Sequence, residues 1–302
     1  MNVDLVRRVR GRLSGSTAQE SRTTSAPQNA PSSTESRPLR VRPATLTMRD
    51  IGVQFGTVRA VDGVDLQLKP GTIHGLIGPK GAGKTTLIDA ITGFVATESG
   101  QIELDETDIS RWSPARRARA GMARSFQSVE LFDDLSIHEN LCLASNKWRS
   151  WRYLTDMFVP GNHGLDDRAE AAVDHFGLRS VLGLNPAQLS LGQRRMASIA
   201  RAIAGGAPVL LLDEPAAGLS DDETRRLGEV LRTAATTGGF AVLLVEHNVD
   251  MVLAVSDTVT VLAQGRVLAT GSPVEIRENA DVKTAYLGTG KDDPQDTRVA
   301  TR

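Results

Sequence analysis

A glycine-rich stretch, GPKGAGKTT at residues 78–86, combines the residue types that bind phosphate groups. Glycines let the backbone turn tightly, so that successive N–H groups point at the β- and γ-phosphates of a nucleotide. Lys84 would lie along the phosphate oxygens as a point charge, and the Thr85 hydroxyl would bind Mg²⁺. The predicted phosphate-binding set is Gly78, Pro79, Lys80, Gly81, Ala82, Gly83, Lys84, Thr85 and Thr86.

Two adjacent carboxylates, Asp213 and Glu214, follow the apolar run Val209–Leu212. Asp213 suits Mg²⁺, bound through water, because a hard cation prefers carboxylate and water oxygens. Glu214 is the candidate that polarises an attacking water. Two solvated acids at a strand end are common by themselves, but that alternative is improbable behind an intact phosphate loop.

These groups need a scaffold of strands and helices that brings them together. The apolar run Ile73–Ile77 predicts a buried strand directly before the glycine loop, and a helix begins at residues 83–86. The run before Asp213 predicts a second strand, buried on both faces of a parallel sheet, so that its acids emerge at the carboxyl end where such sheets bind ligands. A chance match to the glycine motif on a surface turn would lack this context.

Three further stretches occur in a fixed order with the phosphate loop: Gln127 in SFQ, LSLGQ at residues 189–193, and His247 in VLLVEHNVD. Together they resemble the ATP-hydrolysing subunit of ABC transporters. The resemblance implies that Gln127 touches Mg²⁺ and the catalytic water and couples the site to a membrane subunit. It implies that His247 contacts the γ-phosphate. Without the other motifs in this order, Gln127 would not indicate a functional site, and a histidine at a strand end is often structural.

By the same resemblance, Ser190, Gly192 and Gln193 reach across a dimer interface to the ATP held by a second subunit. The simpler interpretation, a serine-capped amphipathic helix with Met196 and Ile199 on its buried face, is compatible with this role.

Phe55, just before Gly56, is the best candidate for stacking on adenine. The alternative is a core aromatic residue in the first strand.

The fold class that the resemblance implies is α/β, a P-loop ABC ATPase cassette with a RecA-like core, an antiparallel β subdomain and a helical signature subdomain. We expect the cassette over residues 44–288, with the helical subdomain at about 130–200, where 133–144 and 166–176 have helical spacing. Residues 1–43 are rich in Ser, Thr, Pro and Arg and are predicted to be disordered, and residues 289–302 to be a loose tail.

The composition is that of an ordinary soluble globular protein, with 302 residues of which 40% are hydrophobic and 24% charged. The net charge of −1 gives no indication of nucleic-acid binding. The single cysteine excludes an internal disulfide framework and a cysteine-rich zinc site. The apolar runs are shorter than the ~20 residues that cross a bilayer, so we expect any membrane association to come through a partner.

Several longer stretches, among them GMARSFQSVELFDDLSIHENL and DEPAAGLS, resemble the ATPases of branched-chain amino acid importers. This subgroup implies ATP and Mg²⁺ as ligands, permease subunits as partners, and a second ATPase subunit that is either the same chain or a different one. It also implies that a substrate-binding protein is an indirect partner, and that the chain lies peripherally at the cytoplasmic face of the membrane. Lys80 departs from the family, which has Asn or another small polar residue there.

The alternatives are the related urea or short-amide importers, a soluble ABC ATPase outside transport, and a cassette that binds ATP without turnover. Soluble members carry coiled-coil insertions or two cassettes, which this sequence lacks. A cassette without turnover is disfavoured because Lys84, Asp213, Glu214 and His247 are all present.

Overall fold

The computed structural model describes residues 39–125, 131–145 and 164–287. The strands are β1 (Leu46–Phe55), β2 (Val58–Leu68), β3 (Ile73–Ile77), β4 (Ser99–Leu104), β5 (Thr107–Asp108), β6 (Met122–Ser125), β7 (Val209–Asp213), β8 (Ala241–Val245), β9 (Thr258–Ala263) and β10 (Arg266–Gly271). The helices are α1 (Lys84–Thr92), α2 (Pro114–Arg119), α3 (Ile137–Ser145), α4 (Asp167–His175), α5 (Leu191–Ala204), α6 (Asp221–Gly238), α7 (Val249–Val255), α8 (Pro273–Glu278) and α9 (Ala280–Leu287).

The main sheet has six strands in the order β10-β9-β3-β8-β7-β6. All pairs are parallel except β9 with β10. Every residue of β3, β7 and β8 is buried, as expected for strands covered on both faces. The predicted strands at 73–77 and before Asp213 are therefore confirmed, and the carboxyl ends of β3, β7 and β8 lie side by side.

A second sheet of four strands has the order β2-β1-β4-β5, with antiparallel pairing. Its buried residues and those of α1 join the apolar faces of β3, β7 and β8 in one core cluster. A second cluster contains the buried faces of α4, α5 and α6 together with residues of the same main sheet. The observed α/β architecture, a parallel core with an antiparallel sheet and further helices, agrees with the predicted fold class.

In the predicted helical region, the first helix begins later than the spacing suggested, and the second begins within one residue of the predicted position. The first was expected from residue 133, but α3 begins at Ile137 because Ser136 caps it: the Glu139 amide donates to Ser136 Oγ at 3.2 Å, and the Ser136 amide donates to Glu139 Oε2 at 2.8 Å. The second, expected at 166–176, is α4, for which Asp166 is the N-cap. Residues 146–163, between these two helices, lie outside the described residues.

The boundary of the predicted N-terminal tail needs correction. It was placed at residue 43, yet Leu39 is 4% exposed and belongs to the core, and the Val41 amide donates to the Gly238 carbonyl at 3.0 Å. Chain segments rich in polar residues still contribute to a core where single aliphatic side chains meet it. Residues 1–38 lie outside the described part of the chain.

Candidate nucleotide site

The phosphate loop runs from the end of β3 to the first residue of α1, as the sequence predicted. Gly83 is the N-cap of α1 with φ 99°, a left-handed conformation that favours glycine. A Cβ atom on Gly83 would lie 2.3 Å from the Ala60 carbonyl oxygen, and one on Gly78 would lie 2.2 Å from that of Leu262. Both positions therefore require glycine, which keeps this loop in one tight shape at the helix N-terminus.

Lys84 lies across this loop. Its side chain is 6% exposed, and Nζ donates to the Gly78 and Pro79 carbonyl oxygens at 2.7 and 3.1 Å. Burial lowers the pKa of Lys84, and the negative charges of Glu214 and Asp213 oppose that shift. The ammonium group is thus held beside the loop backbone, where phosphates would meet it. Lys80 on this loop and Thr85 in the first turn of α1 are exposed.

Asp213, the last residue of β7, is 2% exposed. Its Oδ2 accepts from Arg124 Nη2 at 3.1 Å, while Oδ1 is buried and accepts no hydrogen bond from the described residues. Burial raises the pKa of Asp213, and the Arg124 guanidinium opposes the rise. A buried carboxylate oxygen without a donor suits Mg²⁺ or its bound water, so the site fits a hard cation.

Glu214 and His247 follow the adjacent strands β7 and β8, and their side chains meet. His247 Nε2 lies 2.8 Å from Glu214 Oε1. The Glu214 amide donates to the Val245 carbonyl at 2.8 Å, and Glu214 itself has φ 49°. A non-glycine residue in this left-handed region stores strain, on the order of 1–3 kcal/mol, which is typical of functional sites. The sequence predicted both residues but not their contact.

The signature residues lie at the start of α5. Ser190 Oγ accepts from the Gln193 amide at 3.2 Å, and Gln193 Oε1 accepts from the Ser190 amide at 3.0 Å, which forms a capping box. Ser190 and Gln193 are exposed, and Gly192 is buried against Glu223. Met196 and Ile199 are buried, as the helix interpretation predicted. No hydrogen bond or ion pair joins residues 189–193 to residues 78–86, two segments that the structure describes in full.

Phe55 ends β1 and is 53% exposed. The alternative of a core aromatic residue is therefore wrong, and the ring is available for a ligand. Gln127 lies outside the described residues, which stop at Ser125, the last residue of β6, and resume at Leu131.

Sequence reasoning missed two charged residues of the site. Arg124 forms ion pairs with Asp213 and with Asp89 of α1, and so joins three elements. Glu246 follows β8, is 4% exposed, and accepts from the Ala216 amide at 2.6 Å. For Glu246 the available signal was position, because it lies between the apolar strand β8 and the predicted site residue His247; no local pattern indicated Arg124.

A family model described as ABC transporter matches residues 61–217, and one described as branched-chain amino acid ATP-binding cassette transporter matches residues 266–292. Over 248 residues the chain is 36% identical to the high-affinity branched-chain amino acid transport ATP-binding protein LivG of Escherichia coli, covering 80% of this chain and 97% of that protein. Identity to BraF of Pseudomonas aeruginosa, with the same description, is also 36% and covers 84% of this chain and 99% of that one. The lipopolysaccharide export system ATP-binding protein LptB of Escherichia coli is 36% identical as well, with 81% and 98% covered.

Solved structures show the same fold. An ATP-binding cassette of an ABC transporter in its ADP conformation superposes with a TM-score of 0.70 at 25% identity, covering 81% of this chain and 99% of that one. A nucleotide-free ATP-binding cassette gives 0.69 at 25% identity, with 80% and 98% covered.

Proposed function

Because the chain belongs to the ATP-binding cassette family of ABC transporters and is an ATP hydrolase, we propose that it energises the uptake of branched-chain amino acids through a partner permease. The observations that support the substrate class are the C-terminal match, residues 266–292, to a model described as branched-chain amino acid ATP-binding cassette transporter, and the 36% identity to LivG and BraF. Whole-chain identity alone does not separate importers from the lipopolysaccharide exporter, since both reach 36%. Nothing in the comparisons favours the urea importer or a soluble ATPase outside transport.

The proposed chemistry begins with the triphosphate. The loop amides and Lys84 hold the β- and γ-phosphates, and Phe55 stacks on adenine. Thr85 Oγ1 and Asp213 Oδ1 would hold Mg²⁺, with Gln127 as a further candidate ligand. When bound, Mg²⁺ neutralises charge on the phosphate oxygens.

Hydrolysis then requires a water in line with the γ-phosphate. Glu214 accepts the proton of this water as its oxygen attacks phosphorus, and the bond to the β-phosphate oxygen breaks to leave ADP and phosphate. His247 contacts Glu214 at 2.8 Å and, as we propose, also the γ-phosphate. Gln127 orients the same water.

A second cassette completes the site in this proposal. Ser190, Gly192 and Gln193 make no hydrogen bond with the phosphate loop of their own chain, and the first and last of them are exposed at a helix N-terminus. Such a terminus attracts anions. We propose that two cassettes dimerise head to tail, each signature segment contacting the ATP on the other, with either an identical or a different chain as partner.

We propose that the permease docks at a groove on this chain. A cavity of roughly 500 Å³ lies between the end of α1, α2, β6 and α5, and its lining includes Phe94, Arg117, Arg124, Ser125, Ser198 and Arg201. Exposed Phe94 adds an aromatic anchor at its rim. Within the described residues, no helix has the length and apolar character to span a membrane. A peripheral position at the cytoplasmic face, held by the permease, follows from this proposal.

Transport by reconstituted vesicles tests the proposal. Vesicles with this ATPase, its permease and a periplasmic-type binding protein should accumulate leucine, isoleucine or valine on addition of ATP. The matched control contains Glu214→Gln and should not accumulate substrate. Uptake of urea without a response to leucine would overturn the substrate class and leave the ATPase assignment intact.

A further inference from the structure

Three contacts join the loop after β7 to the loop after β8. The Glu214 amide donates to the Val245 carbonyl at 2.8 Å, and His247 Nε2 lies 2.8 Å from Glu214 Oε1. The third contact is made by Glu246, a residue with no role in the chemistry described so far.

The Glu246 carboxylate binds both loops at once. Oε1 accepts from the Ala216 amide at 2.6 Å, and Oε2 accepts from the amide of His247 at 3.2 Å. Ala216 is two residues beyond Glu214, and Glu246 directly precedes His247. Each oxygen therefore fixes the backbone next to one member of the Glu214–His247 pair.

The position of this carboxylate is costly for a charge. The side chain is 4% exposed, and burial raises the pKa of Glu246, while the two amide donors and nearby His247 oppose the rise. A buried carboxylate is retained in a fold where hydrogen bonds to the ionised form compensate desolvation. A leucine would fill a similar volume without this cost, but could not accept either amide hydrogen.

We propose that Glu246 is a positioning residue. Its carboxylate links the loop that bears Glu214 to the loop that bears His247 through two hydrogen bonds, which we call the clamp, and so holds these two side chains in the arrangement that hydrolysis requires. The proposal rests on the proposed roles of Glu214 and His247. In this proposal Glu246 acts through its hydrogen bonds to the amides of Ala216 and His247, and not by contact with ATP or the attacking water. It acts by fixing where the two reacting loops stand relative to one another, since a small misplacement of a catalytic group reduces rate steeply.

Glu246→Gln is the principal test because glutamine has the same shape. Its carbonyl oxygen still accepts from the Ala216 amide, but its NH₂ group then faces the His247 amide, so the hydrogen bond to His247 is lost. We expect kcat to fall about tenfold while the KM for ATP changes less than about twofold, the pattern of an interaction that matters in the transition state. Glu246→Asp keeps the charge but is one methylene shorter, and should recover part of kcat. Glu229→Gln, at an exposed position on α6, is the matched control and should leave kcat unchanged.

A double-mutant cycle separates positioning from general stabilisation. In a His247→Ala background, Glu246→Gln should lower kcat by less than about twofold further, since the clamp then has no pair to align. An equal fold-loss in both backgrounds, or unchanged kcat in folded Glu246→Gln, would overturn the proposal. A matching loss of melting temperature and ATP affinity without the kcat effect would also overturn it, because that is the result of a purely structural role. Glu214→Gln is measured alongside: normal turnover there refutes the catalytic pair itself and is distinguishable from failure of the clamp.

Discussion

Glu214 and Lys84 serve different steps of the proposed reaction, and their positions in the site differ accordingly. Lys84 Nζ lies on the phosphate loop, hydrogen-bonded to two of its carbonyl oxygens, whereas Glu214 lies at the end of β7 against His247. The first position suits binding of the triphosphate, and the second suits activation of water.

Glu214→Gln should therefore keep ATP affinity and lower turnover by at least ~10²-fold, trapping a closed dimer. Lys84→Ala should instead weaken nucleotide binding itself. Equilibrium ATP binding and steady-state hydrolysis measured on both variants check this. Near-normal turnover of Glu214→Gln would remove that residue from its role.

His74 makes stability depend on pH. It is buried on β3, with Nε2 2.8 Å from Thr260 Oγ1, and burial lowers its pKa from 6.5 to about 4. The unfolded chain then takes up a proton at higher pH than the folded chain. The stabilisation of the folded state by neutral His74 is complete above pH 6.5 and is lost as the pH falls towards 4. This loss lowers the free energy of unfolding by up to about 3 kcal/mol.

His74→Gln should remove this component, so its free energy of unfolding should fall less between pH 7 and 4 than that of the unchanged protein. Urea titrations at several pH values measure it. Parallel pH profiles for the two proteins would contradict the assignment to His74.

Residue types were predictable and their partners were not. The phosphate loop and the pair Asp213-Glu214 follow local spacing, so the sequence showed them directly. The contacts that hold them join distant residues: Arg124 meets Asp213 over 89 positions, and Glu246 meets the Ala216 amide over 30. No local pattern carries that information.

At the element scale, four of the described helices begin with a capping box. Ser136, Ser190, Ser220 and Ser272 each accept from the amide three residues later, and the side chain of that later residue accepts from the serine amide. Ser190 has a second proposed role at the dimer interface, whereas Ser272 caps α8 outside the site. The two serines therefore form a natural comparison.

Ser190→Ala and Ser272→Ala should each lower the free energy of unfolding by about 1 kcal/mol, the usual cost of a lost N-cap. Only Ser190→Ala should also reduce ATP hydrolysis. Denaturation curves and turnover of both variants measure this. Equal turnover in the two would mean that Ser190 is a cap and nothing more.

Elements were predicted with unequal success for a physical reason. Short apolar runs such as Val209–Leu212 are identifiable because a strand that is buried on both faces needs apolar side chains on both. The antiparallel sheet was implied by family resemblance, but its order depends on β1 pairing with β2 and β4 across irregular registers. Such pairing comes from tertiary contacts rather than from any single segment.

The N-terminal boundary has a consequence for the whole molecule. Leu39 and Val41 join the core, whereas residues 1–38 carry no matched motif. A truncation of residues 1–38 therefore tests the segment before the core, and a truncation of residues 1–43 also tests the contribution of Leu39 and Val41.

Deleting residues 1–38 should leave ATP hydrolysis and the melting temperature essentially unchanged. Deleting residues 1–43 should lower the free energy of unfolding by about 2 kcal/mol, mainly from loss of the buried Leu39 side chain. Thermal melts of the two truncations provide the comparison. A clear drop in melting temperature for the shorter deletion would show that the first 38 residues stabilise the cassette.

The central position of β3 in the main sheet affects how the chain folds while it is being synthesised. Its first amide, at Ile73, donates to Asp257, 184 residues later, and its two neighbours in the sheet are β8 and β9. A ribosome adding about 5–20 residues per second needs on the order of 10–40 s to synthesise that stretch. Throughout this interval the strand that leads into the phosphate loop lacks its neighbours, which leaves its apolar residues Ile73, Leu76 and Ile77 without them. The nascent chain therefore acquires its ability to bind nucleotide only after residue 263 has left the ribosome.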